Sequence, residues 1–223
     1  MNNKKKKILI NILVICLYFI WPYFLNSITN LFNLSEIPYL YVSFGVNFIF
    51  LFIIIYVYKD ILRKYYSNLK RNFKSIFIGS LKVFLFGLVS YILLNSLLDI
   101  LNIPVLSNQN SMIVMFEKIP VMFVLNTLFY YPIIEELIFK MSLKEVLKDK
   151  WCFVIITGLL NAFFQIVFSM TVWTDLLYLL PYTIFFGSLS YIYYKNDDVL
   201  LPIFLRICYN VIPCIIYIID LMR

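Results

Sequence analysis

Seven stretches of mostly apolar residues recur along the chain: Ile8–Leu25, Tyr39–Tyr58, Ile76–Leu98, Ile119–Leu143, Cys152–Met170, Leu176–Tyr194 and Val199–Met222. Runs of about 20 residues narrow the options, because as helices they match the ~30 Å hydrocarbon layer of a bilayer. A helix also satisfies its own backbone hydrogen bonds, which lipid cannot do. The alternating pattern of a membrane β-barrel is absent. Composition agrees: 63% of the 223 residues are hydrophobic and 14% charged, against roughly 45–50% and 25% in soluble domains. The expectation is an all-α, multi-pass transmembrane helical bundle whose first partner is the lipid bilayer.

Basic residues punctuate the runs. Lys4 to Lys7 precede the first; Lys59, Arg63, Lys64, Lys70, Arg71 and Lys74 read as a loop between the second and third; Lys140, Lys144, Lys148 and Lys150 end the fourth. If the helices alternate in direction, these segments share one side, which the positive-inside rule makes cytoplasmic. The sequence therefore predicts a cell-membrane protein with its N-terminus in the cytoplasm. The net charge of +7 is then a topology signal, and no nucleic-acid motif accompanies it. Lysines before the first run resemble a signal peptide. Yet the run is long and Leu25-Asn26-Ser27-Ile28 is a poor cleavage pattern, so an uncleaved helix is expected. Tyrosines gather near span ends, where amphipathic rings favour the headgroup layer. Cys16, Cys152, Cys208 and Cys214 form no C-x-x-C pair and read as packing residues. The chain contains no histidine.

The informative residues are the ionisable groups within apolar runs: Lys82, Glu135, Glu136 and Arg206. Charge at bilayer depth costs about 2.5–3.5 kcal/mol even on the lenient insertion scale. Lys82 stands two turns from a span end and can snorkel to the interface. Glu135 and Glu136 are harder to place. Adjacent carboxylates in an apolar helix repel each other and resist desolvation, which suits one of them to proton transfer near neutral pH. Glu136 and Lys140 are four apart, in the favoured order for an ion pair on one helical face.

The stretch Pro132-Ile133-Ile134-Glu135-Glu136-Leu137-Ile138-Phe139-Lys140 resembles the first motif of the CPBP family, the CAAX proteases and bacteriocin-processing or bacteriocin-immunity membrane proteins. That motif reads Glu-Glu-x-x-x-Arg, and Asn108-Gln109 resembles a pair often seen upstream of it. The resemblance covers the last four spans, roughly Ser107 to Pro213. It divides the chain into N-terminal transmembrane helices (1–106), which read as anchors, and a CPBP-like core (107–223). The family's second motif is Phe-x-x-x-His; here it is Phe164-Gln165-Ile166-Val167-Phe168, with Phe168 in the histidine's place. The third places a histidine four residues before an asparagine. Here Arg206 takes the histidine's place and Asn210 is kept. The resemblance implies a glutamate that activates water, with histidines and asparagine positioning it and stabilising the oxyanion. Glu135, Glu136 and Asn210 fit that catalytic pattern. Lys140 keeps the charge without the arginine fork, phenylalanine cannot carry a proton, and Arg206 cannot act as a base near pH 7.

A guanidinium in an apolar helix needs a carboxylate, so the sequence predicts a buried contact between Arg206 and Glu135 or Glu136, which weakens the glutamate as a base. No cofactor is implied, and a carboxylate–asparagine set without imidazole is poor for zinc. Three functions follow in order of preference. The first is a CPBP protein with a degenerate site, acting in bacteriocin self-immunity or peptide maturation with a bacteriocin-like or leader-bearing peptide as partner. The second is an active intramembrane endopeptidase using a glutamate with Arg206 as the oxyanion group. The third is a transporter or channel subunit whose buried charges line a pathway.

Overall fold

The computed structural model describes residues 3–104, 115–167 and 170–221. Among the described residues there is no β-strand. The elements are α1 (Asn3–Leu31), α2 (Glu36–Ile100), α3 (Pro120–Lys144), α4 (Lys150–Val167), a 3₁₀ turn (Trp173–Tyr178) leading into α5 (Leu179–Asn196), and α6 (Leu200–Leu221). Together they hold seven segments long and apolar enough to cross a membrane, in the order the hydropathy predicts. The protein is a multi-pass helical membrane bundle.

One expectation is corrected. The basic stretch between the second and third spans is not a loop, because α2 is helical over all 65 residues. Residues 59–75 contain neither glycine nor proline, and lysine, arginine and leucine are good helix formers. The stretch is also amphipathic. Tyr58, Ile61, Leu62, Tyr65 and Leu69 turn inward at helical spacing, while Lys70 and Arg71 are exposed.

A straight helix of that length would measure about 98 Å, but the packing requires its axis to turn. Phe48 meets Tyr130, and the Tyr58 hydroxyl bonds that of Ser142 at 3.0 Å, so the first half runs alongside α3. In the second half, Asn196 Nδ2 donates to Ser80 Oγ at 2.9 Å and Tyr91 meets the Tyr182 ring, so this half runs opposite to α5. Helices α3 and α5 are themselves parallel, since Lys144 and Asp197 pair at their C-terminal ends. At that end Asn11, Lys64, Lys144 and Asp197 share one cavity of about 370 Å³. Segments flanked by basic residues thus meet at one end of the bundle.

Helix α5 is enclosed by α4 on one side and α2 on another. Gly187, Ser188, Leu189 and Ser190 are all buried, and small residues let neighbouring backbones approach closely. A Cβ on Gly158 of α4 would stand 2.8 Å from the Thr183 carbonyl oxygen and 2.9 Å from the Gly187 nitrogen. The opposing atoms are backbone, so they cannot yield without moving a helix. Helix α6 begins after the left-handed Asp197, with Asp198 Oδ1 accepting the Leu200 N–H at 2.8 Å. Burial pushes the Asp198 carboxyl above its ordinary range.

Replacing Gly158 by alanine forces α4 and α5 apart. The expected loss is about 1–3 kcal/mol, the usual cost of overpacking, read as an earlier transition when the purified protein is unfolded by SDS titration. Gly45, which has nothing within 4 Å of its virtual Cβ, should tolerate the same change.

Candidate functional site

Helix α3 does not keep a regular α pitch. It widens into π turns at Asn126–Tyr130 and again at Glu136–Met141, separated by a short α segment that begins Tyr131-Pro132. Such turns are rare and concentrate at functional sites. Pro132 supplies part of the cause, because it lacks the N–H that would extend the hydrogen-bond ladder. In the first π turn the Tyr131 N–H bonds the Asn126 carbonyl, five residues back. By that register the Thr127 carbonyl would await residue 132, which has no proton to give. Asn210 fills the gap from α6, its Nδ2 donating to the Thr127 oxygen at 2.7 Å.

The charges gather around the second π turn. Glu135, Glu136, Lys140 and Arg206 are 1%, 0%, 0% and 3% exposed. Arg206 lies across both carboxylates: Nη2 pairs with Glu135 Oε2, and Nη1 donates to Glu136 Oε1 at 3.4 Å. Lys140 closes on the other oxygen of Glu136. Gln165 of α4 donates through Nε2 to both oxygens of Glu135, at 3.2 and 3.0 Å, and the Tyr18 hydroxyl of α1 donates to Oε1 at 3.3 Å. The guanidinium stands 4.7 Å from the centroid of the Phe186 ring. The cluster has two acids and two bases and is neutral overall, with every carboxylate oxygen engaged. Such mutual satisfaction makes charge tolerable where water is excluded.

The contact expected between Arg206 and the glutamates is therefore present, and Arg206 meets both. Lys140 takes the place its spacing gave it, buried rather than interfacial. Phe164 forms an apolar wall, stacked on Tyr18 with centroids 4.6 Å apart and edge-on to Phe139 at 6.0 Å. Asn210 joins the site one step removed, through the backbone of α3. Phe168 and the Asn108-Gln109 pair lie outside the described residues.

Sequence reasoning missed Gln165, Tyr18 and Phe186. Gln165 sits inside the quoted Phe164–Phe168 stretch, and an amide in an apolar helix was its signal. Tyr18 corrects the reading of the first spans as anchors, because α1 delivers a hydroxyl to the site. Among so many tyrosines explained by the interface, nothing in its spacing marked it out. Among the described residues no group of three or more His, Cys, Asp or Glu is placed to hold a metal ion.

The cluster should behave as one unit. Arg206→Gln leaves two buried carboxylates with a single cation and should cost about 3–5 kcal/mol, as should Glu135→Gln in the opposite sense. The double variant should cost clearly less than the sum in a double-mutant cycle. Strict additivity in SDS unfolding would dissolve the unit. Asn210→Ala orphans the Thr127 carbonyl and should cost about 1–3 kcal/mol.

Comparison with curated proteins and with solved structures gave no match. A family model does match: residues 117–212 fit that of the Rce1-like type II CAAX prenyl endopeptidases. This range starts at the end of the segment before α3 and includes the π turns, Gln165, Arg206 and Asn210. Residues 117–212 are thus an Rce1-like (CAAX prenyl endopeptidase, or CPBP) domain.

Proposed function

We propose that this chain is a CPBP-family membrane protein whose glutamate site no longer hydrolyses peptide bonds, and that it acts by binding, in self-immunity toward a bacteriocin-like peptide or in its maturation. The observation that carries this reading is the saturation of both carboxylates by Arg206 and Lys140 in a closed apolar core. A glutamate activates water only if it has an oxygen free to receive the proton and a path to pass it on. Here each carboxylate oxygen is held by a donor, and the chain has no histidine to carry a proton onward. We also assign the protein to the cell membrane, with the N-terminus and the basic end of the bundle in the cytoplasm, on the positive-inside rule.

Purified protein in liposomes, offered prenylated peptides and leader-bearing peptides encoded beside its gene, should give no cleavage above empty liposomes by mass spectrometry. Cleavage that disappears in the Glu135→Gln variant would overturn the reading and restore the endopeptidase. Expression in a host sensitive to the neighbouring peptide should raise survival. Unchanged killing, at confirmed expression, counts against immunity and leaves maturation as the role to assay.

A further inference from the structure

Away from the charge cluster, a second cavity of about 600 Å³ opens on the outer side of α4 and α5, closed at its edge by the second half of α2. Its walls are Val83, Phe86, Ile155 and Ile184. Its floor is the close approach of α4 and α5, where Gly187 carries no side chain and Gly158 admits none. One end is different in kind. Lys82, Trp151 and Tyr191 stand there together, and Lys150 lies 4.8 Å from the Trp151 ring and 4.3 Å from that of Tyr191. Among the described residues no carboxylate pairs with Lys82 or Lys150. From Tyr191 to Thr183, which lines the far end, α5 advances eight residues, or about 12 Å, so the groove runs along the helix away from its lysine-bearing mouth.

We infer that this groove is a binding site for an anionic phospholipid, with the headgroup phosphate against Lys82 and Lys150 and an acyl chain lying along Val83, Phe86, Ile155 and Ile184. Three features fit one occupant. The depth is mainly apolar, with the Thr183 and Ser188 hydroxyls as its polar exceptions, the mouth is cationic without internal compensation, and the indole and phenol rings suit the level where a lipid's glycerol region meets water. Lys82 thereby gains a purpose beyond snorkelling: its stem lies on the groove wall and its ammonium faces the headgroup layer. The basic end of the bundle, where Lys144 meets Asp197, is the same end at which this mouth opens, because Tyr191 and Asn196 close the same helix. The site is separate from the glutamates and holds whether or not they hydrolyse anything.

The experiment uses Trp151 as reporter, in a Trp173→Phe background that removes the more exposed indole. Full-length protein in detergent is titrated with phospholipid carrying brominated acyl chains, which quench an indole on contact. Phosphatidylglycerol should reach half-quenching at about fivefold lower concentration than phosphatidylcholine, the effect of roughly one interfacial cation. Lys82→Gln should reduce that preference, Lys82→Gln combined with Lys150→Gln should remove it, and Lys82→Arg should keep it. Trp151→Phe should abolish the saturable component. Lys82 and Trp151 are exposed, so these variants should fold. Equal quenching by the two headgroups, a preference undiminished by the paired Lys82→Gln and Lys150→Gln changes, or saturable quenching that survives Trp151→Phe would each overturn the assignment. Saturable quenching by phosphatidylcholine alone would show a groove for any lipid and defeat the anionic claim.

Discussion

Two carboxylates side by side in an apolar helix are the constraint around which this bundle is arranged. Neither can be left alone at bilayer depth, where an unpaired charge is expensive, and neither can satisfy the other. Helix α3 supplies one cation itself, from Lys140 in its own π turn. The second comes from α6 through Arg206, the amide from α4 through Gln165 and the hydroxyl from α1 through Tyr18. Helix α5 adds the face of Phe186 beneath the guanidinium. In lipid, apolar side chains barely distinguish a neighbouring helix from an acyl chain, so polar contacts carry more of the pairing. The glutamates therefore set which helices are neighbours and at what rotation.

A second constraint sits one turn before them. A proline within a transmembrane helix frees a carbonyl that must be bonded by something other than the helix. Here the donor is Asn210, one turn along α6 from Arg206. The two α6 residues engage α3 at points eight and nine residues apart, Thr127 for one and Glu135 and Glu136 for the other. Two such contacts fix sliding as well as rotation between the helices. The π turns make this register possible, since each inserts a residue that shifts everything beyond it around the axis.

What the sequence revealed follows from which features carry an energetic cost. The spans were legible because apolar length has one good explanation, and Glu135, Glu136 and Arg206 because buried charge demands a partner. Lys140 was legible from spacing. Tyr18 was not, because an amphipathic ring has a cheap explanation at any span end. Gln165 was overshadowed by its neighbours in the motif-like stretch. The continuity of α2 is hidden for a different reason: clustered lysines and arginines between apolar runs signal a connection outside the membrane and do not say whether it is loop or helix. The same residues are good helix formers, and with tyrosines and leucines facing inward the chain turns without ending its helix.

Helix α5 connects the buried cluster to the bilayer. Phe186 faces the guanidinium, and the next residue, Gly187, lines the outer groove. The position of α5 against α4 is set on one side by the glycine contact and on the other by the packing of Phe185 and Phe186 with α2 and α6. A lipid seated in the groove would bind only the assembled helices, because its walls come from α2, α4 and α5 together, and a ligand selective for the folded state stabilises it by mass action. Lipid occupancy would then favour the same arrangement of α5 that keeps Phe186 under Arg206. In that sense the charge cluster and the groove are opposite faces of one packing solution, each stabilising the helix position that the other requires.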